Sequence, residues 1–306
     1  MQNLDDRHKC LSGLIDKAIC AAPGEEPWPA YYRIRGAEIE SLLKAASLNK
    51  TGEVLEVGCG NGFVSYLLSS ISNKVVAADL CSRSSKTHTV GIDIANRFFD
   101  KLGVSNAHLC SCSVEGLPFK DNTFDVIFSS YVLQYLKDRS LALRELKRVV
   151  KKDGIIILML PNFIERIYAF FQFYLYLFIK LMNMLTAKLS IKQGVAKETG
   201  PGKIDIVRFK DNYRYFPFPG PHGAYKNSAI EMIRHMPLNW NKEFKTGGLK
   251  IEKSFTTTFS PYPLFLTVSS HLEAVMSALL GPFTRFFSTK PVIKYLGYNY
   301  CVILKK

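Results

Sequence analysis

The sequence predicts an α/β fold: a doubly wound, mostly parallel sheet of seven strands, with apolar helical insertions before the last two. Three observations predict it. Short apolar runs alternate with helix-periodic stretches from Glu53 to Leu160. The loop GCGNG follows the first of those runs directly, and two further strand-like runs close the chain after a long interruption. Near-continuous apolar strands between amphipathic helices imply strands buried on both faces, the arrangement of a helix-covered parallel sheet.

Residues 1–50 form an N-terminal helical cap. AEIESLLKAASL places Ile39, Leu42, Leu43 and Ala46 on one helical stripe. APGEEPWPAYY before it is a Pro-rich turn with aromatics, suited to a lid. Residues 51–160 form the core domain. Its strands are EVLEV, KVVAAD, AHLCS, FDVIFS and GIIILML, with helices near 62–71, 91–102 and 139–151. Residues 161–248 are an insertion, apolar and then basic. Residues 249–306 return to the sheet with GLKIEKSFTTTF and GYNYCVILKK, separated by a second apolar interruption at 261–287.

The 306 residues carry 40 Lys and Arg against 26 Asp and Glu, a net charge of +14. Such an excess favours an anionic partner. No nucleic-acid module accompanies it, so nucleic acid is not the expected partner. The seven cysteines form no metal-ligand spacing, and no metal site is expected. Cys110 and Cys112 are expected to be small buried residues of a reducing compartment. MQNLDDRHKC is polar and mixed in charge, unlike a signal peptide.

The sharpest motif is VLEVGCGNGF. Glycines are needed where a backbone turns sharply and lies close to a ligand. The dinucleotide pattern requires glycine at position 63, where Phe63 stands. The pattern here is acidic-x-GxGxG: Glu56, Gly58, Gly60 and Gly62. Seventeen residues after Gly62, at the end of the next strand, Asp79 is placed to accept both hydroxyls of a ribose. Asp93 in VGIDI imitates it but lies too far along the chain. His88, in the polar loop from Cys81 to Thr89, is expected at the surface.

With EGLPFKDNTFDVIFSSYVLQYL and LRELKRVVKKDGIIILML, the stretch from about 50 to 160 resembles the class I S-adenosylmethionine-dependent methyltransferase family. The resemblance implies S-adenosyl-L-methionine as cofactor. Glu56, Gly58, Cys59, Gly60 and Gly62 would hold its methionine end, and Asp79 with Leu80 its ribose. Ser113 and Val114 would hold the adenine, and Ser129 completes the cofactor-binding set. Ser113 stands where the family usually carries Asp; a hydroxyl can accept the same hydrogen bond without charge. The cofactor's sulfonium and ammonium make nearby carboxylates favourable, and methyl transfer draws mainly on positioning.

Catalytic candidates are His222, in the turn PFPGPHGAY, and Tyr131 and Gln134, which follow the fourth strand. A base assists a hydroxyl acceptor. Gln134 stands where many relatives carry His.

IYAFFQFYLYLFIKLMNML, residues 167–185, has seven Phe or Tyr among its first thirteen residues. As a helix it would span about 28 Å, just enough for a hydrocarbon core. A single crossing would strand the last two strands on the wrong side, so the segment is expected to lie in or return from the membrane interface. Thr186–Arg214 carries seven basic and three acidic residues, which suits anionic lipid. The expectation is a cytoplasmic protein, peripheral or monotopic on a membrane. Its acceptor would be hydrophobic or lipid-linked, of quinone or polyprenyl-linked-sugar type, methylated at oxygen. The alternatives are a soluble small-molecule methyltransferase, with the insert as lid or dimer contact, and a non-catalytic scaffold of the same fold.

Overall fold

The computed structural model describes residues 4–21, 29–80, 91–192, 219–221, 223–257 and 295–306. A seven-stranded sheet organises them, in the order β3-β2-β1-β4-β5-β7-β6. Its strands are β1 (Thr51–Val57), β2 (Ser72–Asp79), β3 (Ala107–Ser111), β4 (Phe124–Ser130), β5 (Val150–Pro161), β6 (Lys250–Phe255) and β7 (Asn299–Lys305). The first five pair in parallel, and β7 runs antiparallel between β5 and β6.

The apolar runs are long enough to bury both sheet faces. Val54 and Phe128 face one layer, with Leu67 of α3 (Phe63–Ser69), Phe98 of α4 (Ile92–Leu102), and the helices α1 (Leu4–Ala21) and α2 (Pro29–Ala45). Leu55 and Ile127 face the other, with Leu143 and Leu146 of α5 (Arg139–Val149). Of the predicted stripe, Ile39 and Leu42 of α2 are fully enclosed and Leu43 nearly so, while Ala46, just past the helix end, is half-buried.

Two boundaries depart from expectation. From Pro29 the supposed Pro-rich turn is already α2, since proline suits a first helical turn that needs no N–H. The helix expected to 151 ends at Val149, where Val150 turns extended (φ −72°, ψ 142°) and opens β5. Among the described residues the insertion contributes α6 (Phe163–Lys192), α7 (Ser228–Arg234) and α8 (Pro237–Thr246), in keeping with the helical insertion expected there. In α8, Trp240 is fully buried, its Nε1 donating to the Pro161 carbonyl at 3.2 Å. The Arg139 guanidinium lies 4.2 Å from the Trp240 ring centre and bonds Glu243, fastening α8 to α5. The second apolar interruption at 261–287, apart from its sequence, lies outside the described residues, as does the loop carrying His88.

Helix α6 is 30 residues long, about 45 Å at 1.5 Å per residue. Asn162 fixes its start: Oδ1 accepts from Phe163 N at 2.8 Å, and Nδ2 donates to the carbonyls of Tyr295 and Gly297. The segment that reads apolar all round in sequence is two-sided in the structure. Arg166 and Phe173 are buried on one face. Ile167, Phe171, Tyr174, Phe178 and Leu181 recur at helical spacing on the other and are exposed, Phe171 at 60 % and Phe178 at 59 %. Among the described residues no helix is long and apolar enough to cross a membrane.

Candidate cofactor and acceptor site

The strand order reverses between β1 and β4, because β2 and β3 continue to one side and β4 and β5 to the other. Ligands of open α/β sheets bind beyond the carboxyl ends of the strands at that point. Gly58–Gly62 leaves β1 there, and Tyr131–Gln134 leaves β4 beside it.

The glycine loop is a close fit. Gly58, Gly60 and Gly62 have φ of 78°, 54° and 84°, the left-handed region. A Cβ on Gly58 would also fall 2.1 Å from a Val132 methyl, so the two loops at the switch point touch only because residue 58 has no side chain. Asp79 closes the cradle: one carboxylate oxygen accepts from Gly60 N and the other from Leu80 N, each at 2.7 Å. Each oxygen keeps acceptor capacity for a ligand hydroxyl. A glycine loop closed by the Asp79 carboxylate, which keeps acceptor capacity at the end of β2, fits S-adenosyl-L-methionine; phosphate would be repelled by that charge. Bound there, the cofactor supplies an activated methyl group.

The remaining predicted residues fall into distinct positions. Glu56 is 2 % exposed and accepts from the Ser65 hydroxyl of α3. Burial pushes its carboxyl up to about 8, opposed by the Ser65 bond and the nearby Arg35 charge. In this structure it is an enclosed carboxyl beneath the loop, bonded to α3. Ser129 is 1 % exposed and its hydroxyl donates to Val57 O at 3.1 Å, tying β1 to β4. Cys59 and Val114 are buried, whereas Leu80 is exposed. The Ser113 hydroxyl accepts from Glu115 N at 3.2 Å and shapes the turn before LPF. Cys110 and Cys112 are half-buried rather than buried, their sulfurs 3.8 Å apart at the end of edge strand β3. Asp93 sits on the exposed first turn of α4, which packs beside the glycine loop, Gly91 N donating to Gly60 O at 3.2 Å.

Of the catalytic candidates, Tyr131 is held in a left-handed conformation (φ 55°), its N–H donating to Met159 O at 2.9 Å. Non-glycine residues adopt that conformation at a cost of about 1 kcal/mol or more, and such strain clusters at functional sites. Gln134 lies in the 3-10 turn Leu133–Tyr135, is 4 % exposed, and its carbonyl accepts from Ala224 N. His222 lies outside the described residues. Its neighbours are pinned to this rim: Gly223 N donates to Glu231, and Arg166 bridges Glu231 and the Gly220 carbonyl.

The sequence did not single out Tyr32 and Arg35 of α2. The Tyr32 hydroxyl accepts from Asn61 of the glycine loop at 3.0 Å, and its ring meets Phe63 edge-on. Arg35, 6 % exposed, reaches the Ser130 hydroxyl at the end of β4. A signal was present: 32, 35, 39 and 42 share one helical stripe, and a charge on a buried stripe needs a partner.

This sheet order, with a glycine loop closed by Asp79, is that of the class I methyltransferase fold. Residues 55–158 match the family described as a methyltransferase domain, and this domain belongs to the class I S-adenosylmethionine-dependent methyltransferases. The chain is similar to an uncharacterised methyltransferase, YcgJ, of Bacillus subtilis strain 168: 28 % identity over 119 residues, 39 % of this chain and 44 % of that one. It is 32 % identical over 115 residues to the ubiquinone/menaquinone biosynthesis C-methyltransferase UbiE of Cellvibrio japonicus, covering 37 % and 44 %. The chain spans less than half the length of these two relatives. The [4+2]-cyclase SpnF shares the fold at 15 % identity and a TM-score of 0.50, over 93 % of this chain and 85 % of that one.

The enclosed Glu56 carboxyl gives a pH prediction. With a folded value of about 8 against 4.5 for an ordinary Glu, the native state holds this proton more tightly than the unfolded chain. Stability from this group is complete below about 4.5 and is lost as pH rises through 8. Each tenfold difference in proton affinity between the two states is worth roughly 1.4 kcal/mol, so the loss reaches a few kcal/mol. Urea unfolding at pH 5 and pH 8 should show Glu56→Gln losing less stability than the parent. Equal pH slopes in the two proteins would contradict the assignment.

Proposed function

We propose that the chain is an S-adenosylmethionine-dependent methyltransferase that works at a membrane surface on a lipid or lipid-linked acceptor. The observation that carries the membrane half is the outward stripe of α6. That helix leaves the carboxyl end of β5, beside the switch point, so a surface covering the stripe lies next to the site. Fully burying such side chains gains roughly 1.5–3 kcal/mol each, more than surface charge pairs supply. Basic residues follow the helix in sequence, and the net charge is +14, which favours anionic lipid as the cover. Similarity to a quinone C-methyltransferase is consistent with an apolar acceptor such as a quinone. A polyprenyl-linked sugar has the same apolar character, and oxygen is the expected acceptor atom.

This reading needs no strong base. The glycine loop and Asp79 bind and orient the cofactor. Tyr131 and Gln134 stand on the acceptor side of the switch point, and the segment bearing His222 is fastened to the same rim. An acceptor hydroxyl would give its proton to a group on that rim.

The first test is transfer of label from S-adenosylmethionine to a native membrane extract, partitioned into organic solvent, with flotation on phosphatidylglycerol vesicles alongside. Label should enter the organic phase, where mass spectrometry reads the acceptor and its atom. The parent protein should float, and Phe171→Asp/Phe178→Asp should stay at the bottom while still binding S-adenosylhomocysteine. Label confined to the aqueous phase, or a double variant that still floats, would refute the membrane reading. A parent protein that binds no cofactor would leave a non-catalytic scaffold.

A further inference from the structure

The buried polar groups of α2 meet both halves of the switch point. Tyr32 bonds Asn61 on the cofactor loop at 3.0 Å. One turn later, Arg35 crosses to the other half. Its Nη2 donates to the Ser130 hydroxyl at 2.6 Å, and its Nη1 donates to Glu38 at 2.7 Å and lies 3.0 Å from the Met159 sulfur. The guanidinium carbon stands 5.5 Å from the Tyr131 ring centre. Behind it, Glu38 accepts from Asn299 at 3.2 Å, and Asn299 bonds Thr256 and Thr257 past β6.

A guanidinium this deeply buried has a large desolvation cost, which an apolar residue in its place would avoid. Its contacts are to the rim: the end of β4, the strained Tyr131 and the end of β5. Tyr131 keeps its left-handed turn through the Met159 hydrogen bond, and Arg35 touches both residues of that pair. The guanidinium is planar with a fixed fork of donors, so it can span Ser130, Glu38 and Met159 at once; an ammonium cannot.

We propose that Arg35 is the positioning residue of the acceptor half of the site, acting through Ser130 and Tyr131, and that α2 carries one contact to each half. This rests on the methyl-transfer function proposed above. The arrangement makes a docked α2 a condition of turnover and assigns the two contacts separable effects.

The test uses the full chain and four variants, with S-adenosylhomocysteine as the binding probe. Calorimetry gives its Kd, hydrogen exchange of the complex reports the amides of residues 130–136, and transfer to the membrane extract gives kcat and the acceptor KM. Arg35→Met should lower kcat at least tenfold and speed exchange at 130–136, with Kd changed less than threefold. Arg35→Lys should recover part of both losses. Tyr32→Phe should raise Kd several-fold without changing exchange at 130–136. Arg33→Met, on the exposed side of the same helix, should match the parent throughout. The proposal fails if Arg35→Met keeps the parent kcat, if its Kd rises as far as in Tyr32→Phe, or if exchange at 130–136 is unchanged. Should Arg35→Met not fold, Arg35→Lys decides: a slower kcat with parent Kd supports the proposal, and parent kcat overturns it. Absence of transfer by the parent protein, with the exchange pattern as predicted, would fail the methyl-transfer function but not the two-contact arrangement.

Discussion

Asp79→Ala lowers affinity for S-adenosylmethionine by about 100-fold or more. Two losses add. The carboxylate would accept the ribose hydroxyls, and a hydrogen bond to a charged acceptor is worth about 1.5–3 kcal/mol. The same carboxylate also holds the loop through Gly60 N and Leu80 N, both at 2.7 Å. Without it, Gly60 loses the bond that fixes its left-handed turn. Asp79→Asn separates the two losses. Its single carbonyl oxygen can serve one backbone N–H, while the amide end presents donors to the other. The expected order of affinity is parent, then Asn, then Ala, measured by calorimetry with S-adenosylhomocysteine. Parent-like binding by Asp79→Ala would remove Asp79 from the cofactor site. The fold should survive in all three proteins, because Asp79 lies at the half-buried end of β2.

What was legible in the sequence follows from how local each signal is. The path from β1 through the glycine loop to Asp79 is written within 30 residues. The alternation of buried strands with amphipathic helices depends on period alone, and it gave AHLCS its exact bounds, Ala107–Ser111. What was not legible involves pairs far apart in the chain. Arg35 meets Met159 across 124 residues and Arg166 meets Glu231 across 65, and neither pairing leaves a periodic trace. Ser129 reads as a loop-end hydroxyl, but its role is decided by the neighbouring Val57 carbonyl in the adjacent strand. In α6, apolar residues occupy every face of the sequence pattern, so periodicity cannot tell which side packs on the domain. Only the position of Arg166 and Phe173 against the remainder of the fold decides that.

The exposed stripe and the buried polar clusters divide the work of the insertion. The stripe faces outward, while the first turn of α6 faces the switch point with Glu165 and Arg166. The helix can therefore contact a surface on one side without disturbing the residues that fasten the rim on the other. That separation is why charges placed at Phe171 and Phe178 are expected to abolish membrane recovery while cofactor binding persists.

Removing the rim fastener should have the largest effect on stability. The Arg166 side chain is 2 % exposed and contacts Glu231, at 0 %, and Glu165, at 11 %, with distances of 3.1 and 3.2 Å. Two carboxylates share one guanidinium out of contact with water. Arg166→Met removes the shared cation and leaves both acids enclosed, a change expected to cost about 3–5 kcal/mol. It also releases the Gly220 carbonyl, one of the ties that, with the Ala224 bond to Gln134, hold this rim. Arg166→Met/Glu231→Gln, which removes one stranded charge, should recover part of the loss. Urea unfolding of the parent, the single and the double variant would measure both effects. A loss below about 1 kcal/mol, within the range of exposed pairs, would mean that the cluster is open to water and that the rim is held by Ala224 and the backbone instead.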